Sequence, residues 1–381
     1  MVKRNYWINL INKLWEKRNI IYLQGVRRIG KTFLSKSIDG VKYFDCELPS
    51  VRNVVEDPES FLKSFRGQKI VIDEIHRLKN PSELLKIAAD YYTDTKIIVT
   101  GSSIITGTKK FKDTLTGRKK DIFLTPMNYS DLKDFKIEDI KKRFFYGGLP
   151  EFFLKEFDDK EYVEWIEYYF AKDIQDLFGV GKRSAFLKFC ELVIIRSGGI
   201  FEATSYTSQC EVSRETIFSY LDILNSTMMV SILRPFSKRR ANEIISAPKV
   251  YSFDTGFIRA FKGIKEFRLE DMGFLWEHLV LNEIFSILQS KNIHYWRDKQ
   301  GHEIDFILPD SNGKKIAIEC KWKEDEFEPK NFKIFSKHYP DFRKIVVSSD
   351  VNIPHKKTFS SIEIEFVNVN HLMDILLIEA I

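Results

Sequence analysis

Eight consecutive residues, Gly25-Val26-Arg27-Arg28-Ile29-Gly30-Lys31-Thr32, constrain this chain more than any other stretch of it. They fit G-x-x-x-x-G-K-[S/T] at every fixed position, the pattern of a P-loop. They also sit where that pattern has physical meaning. The apolar run Ile20-Ile21-Tyr22-Leu23 before them reads as a buried strand, and Thr32 to Ile38 after them reads as a helix. The glycines let the backbone curl so that its N–H groups converge on phosphate oxygens, and the helix N-terminus adds a dipole favourable to an anion. Lys31 is placed to reach β- and γ-phosphates, and the Thr32 hydroxyl to ligate Mg²⁺. Gly25, Arg28, Gly30, Lys31 and Thr32 are therefore expected to bind a nucleoside triphosphate, ATP, with Mg²⁺ as its metal.

The strands that should flank such a loop are present. Val41–Asp45, Ile70–Asp73, Ile97–Thr100 and Ile122–Leu124 alternate with helical stretches, among them Phe61–Phe65 and Glu83–Tyr91. That alternation argues for a parallel, doubly wound α/β sheet. Ile70-Val71-Ile72-Asp73-Glu74 has the Walker B form: an acid at the end of a buried strand is costly without a metal or partner. Asp73 is expected to hold Mg²⁺ and Glu74 to act as the base that polarises the attacking water. Ser102, after the fourth strand, is a candidate for sensing the γ-phosphate. Arg118, before the fifth, is a candidate finger toward a neighbouring subunit.

These phrases, with Thr100-Gly101-Ser102-Ser103 and Leu115-Thr116-Gly117-Arg118, resemble a family of prokaryotic AAA+-type P-loop ATPases. Members often carry a C-terminal domain of unknown function that is similar to restriction endonucleases. The resemblance runs through Tyr146-Gly147-Gly148-Leu149-Pro150-Glu151, Lys249-Val250-Tyr251-Ser252-Phe253-Asp254-Thr255-Gly256 and Gly301-His302-Glu303-Ile304-Asp305-Phe306. It implies an ATPase and leaves the biological role open.

At 381 residues the chain is long enough for two or three domains. Three are expected: an AAA+-type ATPase core over 1–125, a helical lid with a winged-helix-like module over 126–255, and a restriction-endonuclease-like α/β domain over 256–381. In the middle part, Ser205–Cys210 and Ser213–Leu221 read as helix, tight turn, helix, with Ser213 as N-cap and only half a capping box. Met229–Leu233 and the basic Lys238-Arg239-Arg240 could form the wing. The second helix is poor in Arg, Lys, Asn and Gln, so base readout has little support there.

The last part carries a second chemical pattern. Glu303-Ile304-Asp305-Phe306-Ile307 and Ala317-Ile318-Glu319-Cys320-Lys321, joined by the turn Asp310-Ser311-Asn312-Gly313, read as a hairpin. Strand alternation lets one sheet face collect Asp305, Glu319 and Lys321. That is the D…E-x-K layout of PD-(D/E)XK nucleases, in which two carboxylates bind Mg²⁺ and the lysine positions or deprotonates the attacking water. Glu277 matches the helix acid that the resembling family adds to the metal site, with Glu283 a weaker candidate. The bland alternative is a cross-strand ion pair on a solvated face. His302 reads as a surface or supporting residue rather than a ligand.

Composition narrows the classes. Four cysteines without CxxC spacing or a His cluster argue against zinc and against a disulfide framework. They suit a reducing, cytoplasmic setting. No apolar run approaches the ~20 residues of a membrane span, and no secretory signal is evident. A net charge of +6 permits a nucleic-acid partner without demanding one. The expectation is an ATP-hydrolysing protein acting on nucleic acid, DNA in particular, with a homo-oligomer compatible. In it, nucleotide state is coupled to a Mg-dependent nuclease-like domain. The alternative is a non-catalytic, ATP-switched regulator that binds nucleic acid or protein.

Overall fold

A computed structural model describes residues 2–101, 116–175, 178–237, 247–311 and 314–380. The chain is α/β overall. Its first sheet has five strands: β1 (Ile20–Gln24), β2 (Val41–Asp45), β3 (Lys69–Asp73), β4 (Lys96–Thr100) and β5 (Lys119–Phe123). Their order is β2-β3-β4-β1-β5, and every pairing is parallel. β1 lies between β4 and β5 and is buried at all five positions, as expected of a strand covered on both faces. Because the strands are parallel, their C-terminal ends share one edge, where loops can gather around a ligand. The helix Asn5–Lys17 buries Trp7, Ile11 and Trp15, spaced four apart along one face, against this sheet.

Helices dominate the middle. Thr204–Cys210 and Arg214–Ser226 form the expected helix–turn–helix, and the Ser213 hydroxyl accepts from the Thr216 N–H at 3.3 Å. Ile217, Leu221 and Leu224 face the core. Arg214, Glu215, Ser219 and Asp222 are exposed, so the outward face carries acids as well as Arg214. Strands β6 (Val230–Pro235) and β7 (Lys249–Ser252) follow as an antiparallel pair. The basic stretch Lys238–Arg240 lies outside the described residues.

The pair does not stand free. Beyond it come β8 (His294–Arg297), β9 (Glu303–Ser311), β10 (Lys314–Lys321), β11 (Arg343–Ser348), β12 (His355–Phe359) and β13 (Ile362–Val367). All eight form one mixed sheet in the order β12-β13-β11-β10-β9-β8-β6-β7. The sheet therefore crosses the 255/256 position, and β6 is held by β8 through Arg234↔His294 and Pro235↔Tyr295. The helices Leu269–Leu288 and Val369–Ala380 cover one face, and Lys330–His338 covers the other. Among the described residues no helix is long and apolar enough to cross a membrane.

Candidate functional site

Main-chain geometry builds the P-loop. Gly25 has φ 153° and Gly30 φ 97°, and a Cβ on Gly25 would stand 2.8 Å from the Leu124 carbonyl oxygen. Only glycine tolerates both constraints at that position. The loop is pinned from behind by Arg4, a buried residue that donates to the Ile29 carbonyl at 3.1 Å, to the Thr125 carbonyl at 3.1 Å and to Asp131 at 2.5 Å. Lys31 curls onto its own loop and donates to the Gly25 and Val26 carbonyls at 2.7 and 3.1 Å. Burial pulls its pKa down. Glu74, Asp173 and Asp73 oppose that pull without cancelling it. Arg28, also at positive φ, reaches outward to Glu151 at 3.8 Å.

Asp73, at the end of β3, gathers three hydroxyls. Thr32 donates to its Oδ2 at 2.9 Å, Tyr43 donates to the same oxygen, and Thr100 donates to Oδ1. A hydroxyl from the loop touching a carboxylate from the next strand but one is the donor set that suits Mg²⁺. The residues present therefore fit that metal. Glu74 follows in the left-handed region at φ 52°, and its amide donates to the Thr100 hydroxyl at 3.2 Å. His76 Nδ1 lies 3.1 Å from its carboxylate. Burial pushes the Glu74 carboxyl up, but His76, Lys31 and Arg27 outweigh it and hold the group below its ordinary range.

Thr100 and Tyr43 were missed by reading the sequence for motifs. The available signal for Thr100 was a hydroxyl closing an otherwise apolar strand one residue before Gly101. The expected sensor Ser102 lies outside the described residues. Arg118 is not brought to its own P-loop. It precedes β5 at the opposite end of a parallel sheet and pairs with Asp90 at 2.8 Å.

Two of the sequence phrases meet beside the loop. Asp254 accepts from the Gly148 amide at 2.5 Å and from the Gly256 amide at 2.9 Å. A Cβ on Gly147 would sit 1.9 Å from Asp254 Oδ1, and one on Gly256 would sit 2.7 Å from the Gly147 nitrogen. Arg143 closes the knot: it donates to Thr255 at 2.9 Å and lies 3.7 Å from Asp254. Pro150, just beyond, stands 3.9 Å from where a Gly30 Cβ would be. Tight contact thus joins Gly147 and Gly148 to the 249–256 segment, and the Pro150 side chain lies beside the P-loop.

That segment ends at the second cluster. Lys249, 5% exposed, donates to Glu303 and lies 3.8 Å from Glu277, while Tyr251 donates to Glu277 at 2.5 Å. Asp305 accepts from the Cys320 amide at 2.7 Å. Extending the Phe306↔Ile318 register by one residue sets Asp305 opposite Glu319. Lys321 lies 3.3 Å from Glu319, and Asn331 donates to Glu319 at 3.5 Å. Burial, reinforced by neighbouring acids, lifts Asp305 to about 7 and Glu319 to about 8, and it raises Glu277 as well.

The pattern Asp305, Glu319, Lys321 does assemble on adjacent strands. The expected metal set of Glu277, Asp305 and Glu319 does not. Among the described residues no group of three or more His, Cys, Asp or Glu stands ready to hold an ion. Two ammonium groups, Lys249 and Lys321, lie among these acids. Lys249 and Tyr251 were legible only as members of a phrase, not as site residues. Glu283 points elsewhere and accepts from the Tyr129 amide at 2.9 Å, with burial lifting it to about 8. His302 caps the Asp298 turn at 2.8 Å.

Three models of known families match successive stretches of the chain. Residues 17–133 match the model of an AAA domain, 137–268 a domain of unknown function (DUF8612), and 272–367 another (DUF4143). An uncharacterized protein of Methanocaldococcus jannaschii is 24% identical over 98% of this chain and 89% of its own length. One from Mycobacterium tuberculosis is 24% identical over 79% and 70%. Among solved structures, a Walker-type ATPase of Pyrococcus abyssi overlaps 69% of this chain and 96% of its own at 14% identity with a TM-score of 0.47. A Bacillus subtilis DNA clamp loader delta protein overlaps 62% and 91% at 13% with 0.27. At these scores the two overlaps bear on neither fold nor chemistry. The first body is an ATPase-type P-loop domain, a class that binds nucleotide with a divalent metal.

Proposed function

We propose that this chain hydrolyses ATP at Gly25–Thr32 and that its nucleotide state sets the arrangement of the C-terminal carboxylate cluster. One observation carries the ATPase half: Asp73 touches the loop hydroxyl of Thr32 while Lys31 and Glu74 flank it. Thr32 and Asp73 would hold Mg²⁺, which when bound neutralises charge on the phosphate oxygens. Glu74, kept ionised, orients water and accepts its proton, and His76 fixes its direction. Thr100 holds Asp73 and the Glu74 amide in one frame.

The three parts 1–125, 126–255 and 256–381 divide the work as core, lid and effector. The Gly148–Asp254 contact supports the coupling, because it joins the lid loop to the segment that carries Lys249. The effector acts on nucleic acid, DNA in particular, through Asp305, Glu319 and Lys321, in the cytoplasm. Arg118 would serve a neighbouring copy in a homo-oligomer, since it stands far from its own nucleotide. A second reading, an ATP-switched regulator that binds without cutting, is favoured by the lysines lying among the acids.

Two measurements decide. Phosphate release from Mg-ATP should fall about 100-fold in Glu74→Gln with binding retained. Cleavage of DNA and RNA with Mg²⁺ or Mn²⁺, with and without ATP, should occur in the wild type and vanish in Lys321→Ala. A wild type that cuts neither polymer leaves the regulator reading standing.

A further inference from the structure

At the phosphate end of the P-loop stands a carboxylate that no nucleotide-binding motif calls for. Asp173 comes from the middle region, on a π-helical turn over Phe170–Gln175 that continues the helix Asp159–Tyr169. Such turns are rare and frequently mark functional sites. Its Oδ2 is closed off from solvent, while the side chain as a whole stays 27% exposed. The nearest cation is Arg27 of the loop itself, 3.6 Å away. Arg27 lies over the Tyr168 ring at 4.4 Å and donates to the Tyr168 hydroxyl at 3.1 Å. Asp173 also interacts electrostatically with Lys31 and Glu74. Partial burial makes the Asp173 carboxylate costly to ionise, and its ion pair with Arg27 offsets part of that cost, so the carboxylate and the loop cation are tied to one another.

We propose that Asp173 competes with a nucleotide's terminal phosphate for Arg27 and Lys31, and so sets the discrimination between triphosphate and diphosphate. A γ-phosphate brings negative charge to Arg27 and Lys31 and competes with the resident carboxylate for both. A diphosphate ends short of that point and leaves Asp173 in place. Displacing Asp173 moves the Tyr168–Gln175 turn. The helix before it carries Trp165, which stacks on Phe253 at 5.6 Å, one residue from Asp254. The terminal phosphate is thereby read at the base of the segment that reaches the C-terminal cluster.

The inference rests on the P-loop binding nucleotide, and the test separates the two. Affinities for ADP and for a non-hydrolysable imido analogue of ATP are measured by calorimetry with Mg²⁺, in wild type, Asp173→Asn and Asp173→Ala, with thermal unfolding to establish folding. Removing the competing charge should tighten the analogue about 10-fold and ADP less than about 2-fold. In an Arg27→Ala background the gain should shrink, because the shared partner is gone. Equal changes for both nucleotides, no change, or weaker analogue binding overturns the proposal and leaves the P-loop assignment intact. No binding of either nucleotide to the wild type overturns both. If the Asn variant does not fold, Asp173→Ala carries the same decision.

Discussion

The P-loop and the C-terminal carboxylate cluster both gather charge where strands end, yet they are made of different material. The loop offers main-chain geometry and one lysine bonded to its own carbonyls, and those bonds can be exchanged for phosphate at little cost. In the cluster, by contrast, side chains from β7, β9, β10 and the helix Leu269–Leu288 stand together with the acids and lysines already paired. A site built from backbone can stand ready for its ligand. One built from buried acids must satisfy its own charges first, by ion pairs and raised pKa values.

That contrast can be broken or sharpened by experiment. The largest expected effect is at the loop: Lys31→Ala should lower ATP turnover about 100-fold or more, read as phosphate release, with the unfolding midpoint nearly unchanged because its partners are loop carbonyls. Unchanged turnover would erase the difference between the sites. Next comes Lys249→Met, which strips a buried cation from Glu277 and Glu303. Stability should fall by about 2 kcal/mol in denaturant unfolding near pH 8.

The third effect is a dependence on pH. Asp305 and Glu319 titrate near 7 and 8 in the folded chain, above the 3.8 and 4.5 of the free groups. The folded state therefore holds more protons than the unfolded one between about pH 4 and 8, and stability is lost as pH rises through that window. Glu283 contributes in the same direction. Asp305→Asn with Glu319→Gln should flatten the slope; a slope that persists undiminished would place its origin outside the cluster. The smallest effect is expected of Arg118→Ala, which removes a surface pair with Asp90 and should leave the thermal unfolding midpoint essentially where it was.

The sequence alone determined the parallel core, because continuous apolar strands and a glycine-framed loop encode geometry within a few residues. It also indicated the roles open to Lys31, Thr32 and Asp73, and the pairing of β9 with β10, since strand alternation is a local rule. Only tertiary structure decided that β6 and β7 join the C-terminal sheet, that Thr100 and Tyr43 hold Asp73, that Asp254 locks onto Gly147–Gly148, and that Lys249 and Asp173 enter the two sites. Each of these joins residues at least 27 positions apart in the chain, and Asp173 lies more than 140 positions from Arg27. Burial then decides the outcome, because a charge far away in sequence becomes strong once water is excluded between the groups.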